Sequence, residues 1–305
     1  MLPRMRLLIL AVVFLFAALP MFGQQPFSVQ PGLIHCSEGD VLLANDEVNV
    51  KFGDFPVMFA GEELKTGHGR AEVLFSPGVF VRTGYDSSFR LLSTGPTGSH
   101  LEFLTGSLIV EALAIPEKQP ITVSFGDISV YLAKAGLYRF DADPAALRVF
   151  AGSAVVETGG RKLEIEKVRI LPFDGRFTPA KYKGKPADAF DYWSRRRTLA
   201  LQRANFSIWR SARETGKIVK VSGWITSPGF HFLTYVPKKD GCCSAYGVCF
   251  HNGAGLLVPC FCTSYLEKSN QRSPDAPGYL QSNRSLQPEM SSSGTTAPRD
   301  MPNAH

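Results

Sequence analysis

The chain has 305 residues, of which 44% are hydrophobic and 20% charged, enough to bury at least one core as one large domain with appendages or as two small domains. Its 28 glycines, 21 prolines and 22 phenylalanines favour turns and β-structure and count against a fold dominated by long helices. A formal net charge of +6 suits nucleic acid or an anionic surface as partner, the plainer alternative being a basic, solvated exterior.

Arg4 and Arg6 precede an unbroken apolar run from Leu7 to Leu19, and Pro20 follows. A positive start, a short apolar stretch and a small residue at Gly23 read as a secretory signal peptide over residues 1–23. Met21 fits the cleavage pattern poorly, so the cut site stays open. A retained membrane anchor is the rival reading, but a spanning helix wants about 20 apolar residues. Export to the periplasm or the extracellular space argues against a nucleic-acid partner. Only six residues lie ahead of the apolar run, which leaves no room for a cytoplasmic arm.

From Val41 to about Leu171 short alternating runs are separated by Gly, Pro, Asp or Ser. The period of two predicts strands at Glu72–Phe75, Val79–Arg82, Ser88–Leu92, Leu101–Leu104, Leu108–Glu111, Ile121–Phe125 and Ile128–Leu132. It predicts five more at Leu137–Phe140, Leu147–Phe150, Ala154–Glu157, Lys162–Ile165 and Val168–Leu171. Their starts recur about every seven to thirteen residues, which fits an all-β fold of stacked short antiparallel strands rather than a parallel α/β sheet. A β-solenoid and a β-sandwich both satisfy this pattern. One face of each strand packs inward, and the other meets solvent or a second layer.

Residues 36–175 therefore form one β domain, and 176–187 a polar linker. Residues 188–215 then read as an amphipathic, Arg-rich helix. Pro186 precedes it, Asp188 caps it and Gly216 lies beyond its end. Phe190, Trp193, Ala200, Ala204 and Phe206 or Trp209 supply the apolar stripe. Arg195, Arg196, Arg197, Arg203, Arg210 and Arg213 could face an anionic membrane. The favoured reading is a packed helix whose arginines are solvated or paired with acidic neighbours. Residues 216–266 read as a Cys-rich module of irregular β-hairpins, and 267–305, poor in large apolar residues, as a disordered tail.

Cys36 stands alone, whereas Cys242, Cys243, Cys249, Cys260 and Cys262 lie within 21 residues. In an exported chain this favours disulfides that staple the C-terminal module. The spacing lacks the paired CxxC knuckles of a zinc site. Vicinal Cys242 and Cys243 pair with different partners, Cys36 either joins the set or stays free, and the connectivity is open. His35-Cys36 is not read as a nucleophilic pair, because successive strand residues point to opposite faces. Asp141 with Asp143, and Glu164 with Glu166, are read as a solvated strand face or a turn rather than as acid/base pairs. No nucleophile elbow, phosphate loop or dinucleotide fingerprint occurs. No catalytic residue, metal ligand or cofactor is expected.

The run LKTGHGRAEVLFSPGVFVRTGYDSSFRLLS, Leu64 to Ser93, resembles the FecR domain. The resemblance is carried by Gly69, Arg70, Ala71 and Glu72, by Pro77 and Gly78 at the turn, and by Arg82, Ser88 and Arg90. Leu104–Leu108, Gly136–Phe140, Val149–Gly152 and the DAFDYWSRRR segment resemble later parts of the same family, so the likeness covers roughly Cys36 to Arg213. It implies an exported β-rich interaction module. FecR proteins are best known as periplasmic regulators of a sigma factor through a transmembrane helix and a cytoplasmic segment, and that segment is absent ahead of Leu7. The expectation is a non-enzymatic binding or scaffolding module for a protein or envelope polymer. A membrane-anchored regulator and an envelope hydrolase are the other readings.

Overall fold

The computed structural model describes residues 30–95, 98–115, 119–182, 188–216, 223–227, 232–238 and 242–252. Residues 1–23, expected to be a signal peptide, Cys260, Cys262 and residues 267–305, expected to be a disordered tail, lie outside them. The strands are β1 (Leu33–Glu38), β2 (Val41–Leu43), β3 (Asp46–Glu47), β4 (Glu63–Thr66), β5 (Arg70–Ser76), β6 (Val79–Thr83), β7 (Ser88–Gly95), β8 (Gly98–Thr105) and β9 (Ser107–Ala112). They continue as β10 (Ile121–Phe125), β11 (Ile128–Leu132), β12 (Gly136–Ala142), β13 (Ala145–Ala151), β14 (Ser153–Thr158), β15 (Arg161–Glu166), β16 (Arg169–Pro172) and β17 (Ala180–Lys181). One helix, α1 (Ala189–Thr215), and two hairpins, β18 (Gly223–Ser227) with β19 (Phe232–Val236) and β20 (Cys242–Cys243) with β21 (Cys249–Phe250), complete the described chain.

All twelve runs expected from alternation are strands. They fall into two sheets, ordered β1-β5-β6-β9-β12-β13-β16-β17 and β15-β14-β11-β10-β8-β7-β4-β2-β3. The chain lays one to three strands in one sheet, crosses to the other, and advances along both. The all-β fold is thus two facing layers, as in a sandwich, laid down in the steady progression of a solenoid. Pairing is antiparallel throughout except between β8 and β10. Val73, Phe75, Val81, Val110 and Phe140 of the first sheet meet Leu64, Phe89, Leu101, Phe103, Val130 and Val156 of the second in one core. Phe75 faces Phe89 at 6.4 Å between ring centroids, and Phe103 faces Phe140 at 6.2 Å.

The second sheet turns its other face to solvent, but the first does not. Its outer side is covered by α1 and the two hairpins, which share apolar clusters with Leu33, Leu74, Phe80, Ile109 and Leu137. Strands β5 and β6 are consequently buried on both faces. Polar side chains on that outer face are shielded from bulk solvent and depend chiefly on partners within the protein.

The helix begins with a reciprocal capping box between Asp188 and Asp191 and ends at Gly216 in the left-handed conformation, φ 64°. Its buried stripe runs through Phe190, Trp193, Leu201, Ala204, Ile208, Trp209 and Ala212, with Ser194, Thr198 and Asn205 among them. Leu201 and Ile208 thus take the places expected for Ala200 and Phe206, which are only half-buried. The stripe is partly polar because the sheet beneath it is partly charged. Among the described residues no helix is long and apolar enough to cross a membrane.

Candidate functional site: a buried ionic junction

Glu72 on β5, Arg82 on β6 and Glu111 on β9 sit on adjacent strands of the first sheet, on the face away from the core, and each is 0% exposed. Arg82 Nε donates to Glu72 Oε2 at 2.8 Å, and its Nη1 donates to Glu111 Oε2 at 2.7 Å. One guanidinium therefore bridges two carboxylates, an arrangement that leaves a negative charge over.

The helix supplies the balance. Arg197 Nη2 donates to Glu72 Oε1 at 2.8 Å. One turn before it, Ser194 Oγ accepts from Arg82 at 2.8 Å, and one residue after it Thr198 Oγ1 donates to Glu111 Oε2 at 2.6 Å. Positions 194, 197 and 198 share a helical face by their three- and four-residue spacing, which is why one helix reaches all three groups. The second hairpin closes the other side. Ser244 Oγ donates to Glu111 Oε1, and Tyr246 Oη donates to Ser194 Oγ at 2.8 Å.

His35 completes the junction from β1. Its Nδ1 lies 3.0 Å from Glu72 Oε1, and its ring packs against Phe232 at 4.4 Å between centroids. Burial depresses the pKa of His35 from 6.5, against the raising effect of Glu72. Neutral His35 donates its Nδ1 proton to Glu72. The group then sums to zero, with two glutamates against two arginines. Burial alone would raise Glu72, yet Arg197 and Arg82 together with the His35 hydrogen bond hold its carboxyl well below the usual 4.5. Such a group costs desolvation to form and is strongly destabilised when one member is removed.

The face continues on either side. Trp193 Nε1 donates to Glu38 Oε1 at 2.9 Å, and Arg70 donates to Glu38 Oε2 at 3.0 Å while lying over the rings of Trp193 and Tyr85. Arg139 on β12 reaches Asp188 at 2.6 Å and Asp191 at 3.0 Å on the first turn of the helix, and Asp141 at 3.0 Å on its own strand. Asn205 donates to the carbonyls of Tyr235 and His251 at 2.9 and 2.8 Å and accepts from the His251 amide at 2.8 Å, fastening both hairpins to the helix.

The residues singled out from the sequence divide between several places. Glu72 and Arg82 meet in this junction, Arg70 lies beside it on Glu38 and Trp193, and Ala71 enters the core between the sheets. Gly69 lies where a β-carbon would approach the Asp40 carbonyl oxygen to 2.3 Å. At the Pro77-Gly78 turn, Gly78 takes φ +83° under the ring of Tyr235. Ser88 and Arg90 belong to the second sheet: Ser88 Oγ meets Thr105 Oγ1 at 3.1 Å, and Arg90 pairs with Glu102 and Glu63 at its surface.

Asp141 departs from the expected solvated face. It is buried and ion-paired with Arg139 and Arg148, because the helix cap brings further charge to the same sheet face. Glu164 and Glu166 are exposed on β15 of the other sheet. His35 and Cys36 also correct the simple rule of alternation. A bulge between Ile34 and Cys36 keeps Cys36 opposite Glu72, on the same side as His35. Burial pushes the Cys36 thiol up to about 11, so it is held as a thiol at neutral pH. Cys243 and Cys249 are opposed across the last hairpin with their sulfurs 3.2 Å apart. The side chain of Cys242 lies outside the described residues.

Glu111, Ser194, Arg197, Thr198, Ser244 and Tyr246 were not singled out from the sequence as members of a site. The one available signal was the helix itself, whose six arginines have too few acidic residues nearby in sequence to balance them.

No family model matches the chain, and no curated protein matches it. Among solved structures, two crystal structures of a "putative anti-sigma factor" from Parabacteroides distasonis, at 2.50 and 1.65 Å resolution, align with a TM-score of 0.34 at 15% and 14% identity. The alignment covers 39% of this chain and 59% of that chain.

Proposed function

We propose that this chain is a FecR-like, non-catalytic binding module that works outside the cytoplasm. The observation that carries the reading is how the charged residues of the Leu64–Ser93 run are used. Glu72 and Glu111 balance Arg82 and Arg197 in a junction shut off from bulk solvent, so these charges are spent on joining layers and do not face an open surface. Their work is to hold a third layer on the sheet. A rigid two-sheet body with an added layer offers surfaces and sheet edges to a protein or an envelope polymer.

Export is supported by the Arg4–Gly23 segment, and the cysteines of residues 242–262 would then form disulfides. N-terminal sequencing of the exported protein tests the first point, with a start at Gln24 or nearby expected. That start would also exclude the anchored-regulator reading, which needs Leu7–Leu19 retained in the membrane. Thiol counting on the mature protein tests the second, and six free thiols would overturn it. Pull-down from envelope extracts should recover a partner above background, whereas no enrichment over a charge-matched control would count against a binding module.

A further inference from the structure

The helix has a second stripe, opposite to the one that grips the sheet. Tyr192, Arg196, Leu199, Arg203, Phe206, Arg210 and Arg213 follow one another at alternating steps of three and four residues, which lines them along one face. Arg196, Arg203, Arg210 and Arg213 are exposed, as is Tyr192, while Leu199 and Phe206 are half-exposed between them. None of the four arginines makes an ion pair among the described residues, in contrast to Arg197 on the inner stripe. Arg210 and Arg213 instead lie over the rings of Phe206 and Trp209, at 5.4 Å each.

Ordinary solvated helices place a glutamate three or four residues from each arginine and gain from the pair. Here the stripe carries no carboxylate from Tyr192 to Arg213, like charges recur along it, and Glu214, four residues after Arg210 at the helix end, makes no ion pair among the described residues. It also keeps large apolar groups between the charges. From Arg196 to Arg213 the row spans roughly 26 Å at about 1.5 Å per residue. A straight row of cations with aromatic and aliphatic groups between them is complementary to a flat anionic surface that has an apolar layer just beneath it.

We infer that α1 is a docking face for an anionic phospholipid bilayer, lying parallel to the membrane with its arginines among the headgroup phosphates and Tyr192, Leu199 and Phe206 at the acyl boundary. The inference rests on the reading of the chain as a binding module and names the chemistry of one partner. The buried ionic junction gives this face its rigidity: Arg197, Ser194 and Thr198 fix the rotation of the helix so that the other stripe points outward.

The test is co-sedimentation of the purified mature chain with vesicles of phosphatidylglycerol and phosphatidylcholine against vesicles of phosphatidylcholine alone. Each arginine at an anionic surface is worth roughly a fivefold change in affinity. The combined change Arg196→Gln, Arg203→Gln, Arg210→Gln and Arg213→Gln should therefore weaken binding by about a hundredfold or more. A control that removes the same charge elsewhere, Lys162→Gln, Lys167→Gln, Arg169→Gln and Arg176→Gln, should bind nearly as well as the parent. Phe206→Ser should weaken binding with the arginines intact. Circular dichroism of each variant establishes that it is folded. Equal loss in both quadruple variants would overturn the inference in favour of net charge. Absence of vesicle binding would overturn it too, whether or not soluble polyphosphate is bound, and would leave the binding-module reading intact if pull-down still recovers a protein partner.

Discussion

Glu72 and Arg197 are 125 residues apart in the chain, and their side chains meet at 2.8 Å in the space between the first sheet and the helix that covers it. The same carboxylate accepts from Arg82 on the neighbouring strand at 2.8 Å. A residue that looks like the solvent side of an ordinary strand is thus the point at which two layers are joined.

Two arginines of the same sequence run should respond very unequally to truncation. Arg82→Met leaves Glu111 buried without its counter-charge and Glu72 with Arg197 alone, and should cost about 3–5 kcal/mol. Arg90→Met removes pairs at the surface of the second sheet, with Arg90 38% exposed, and should cost under about 1 kcal/mol. Urea unfolding of both variants decides the matter. Similar losses would mean that burial of the junction has been misjudged.

Acid should loosen the junction in two stages. The pKa of His35 is lower folded than the 6.5 of the unfolded chain, so below 6.5 the unfolded state takes the proton more readily. The stability His35 confers is full above 6.5 and is lost as the pH falls towards its folded value. Glu72, held well below 4.5, contributes stability that is full above 4.5 and is lost as the pH falls through its lower folded value. The other groups facing His35 are Arg82, Arg197 and Cys36. Urea midpoints should decline from about pH 7 to pH 5 in the parent, and His35→Asn should flatten that decline. An unchanged slope in the variant would remove His35 from the account.

The last hairpin should be held by its polar contacts as well as its apolar ones. Ser244→Ala deletes the hydroxyl that donates to Glu111 and should cost about 1.5–3 kcal/mol, the range for hydrogen bonds to a charged group. Amide hydrogen exchange over residues 242–252 should quicken in Ser244→Ala and in Tyr246→Phe. Exchange at the parental rate in both would show that the hairpin is fastened by something else.

Close backbone approach at Gly69 makes a further test. Gly69→Ala places a methyl group 2.3 Å from the Asp40 carbonyl oxygen and should cost about 1–3 kcal/mol through forced displacement. Gly95→Ala, where no described residue beyond its chain neighbours lies within 4 Å of the new β-carbon, should stay within about 0.5 kcal/mol of the parent. Thermal or urea unfolding compares the two directly.

The strands were legible because a period of two shows wherever one face is apolar, as in Ile128-Val130-Leu132. Short strands such as β2 and β3 carry too few residues to show it. The junction was hidden for a related reason. Glu72, Arg82 and Glu111 each occupy the polar position of an alternating strand, and nothing local distinguishes a charge facing water from one facing another layer. That distinction comes from α1 and the hairpins, which follow much later in the chain. Within the helix, Ser194, Thr198 and Asn205 dilute the apolar stripe because they answer charges and backbone groups on the sheet and hairpins rather than a greasy surface. The bulge that puts Cys36 beside His35 likewise depends on pairing with β5.

The central claim is that the glutamate of the sheet and the arginine of the helix act as one unit across the layers. A double-mutant cycle of Glu72→Gln and Arg197→Gln, read by urea unfolding at about pH 7.5, measures their coupling. The account predicts an interaction energy of about 1.5 kcal/mol or more, with faster hydrogen exchange through the first turns of the helix in each single variant. Single losses that add to within about 0.5 kcal/mol, with the helix equally protected in every variant, would contradict it.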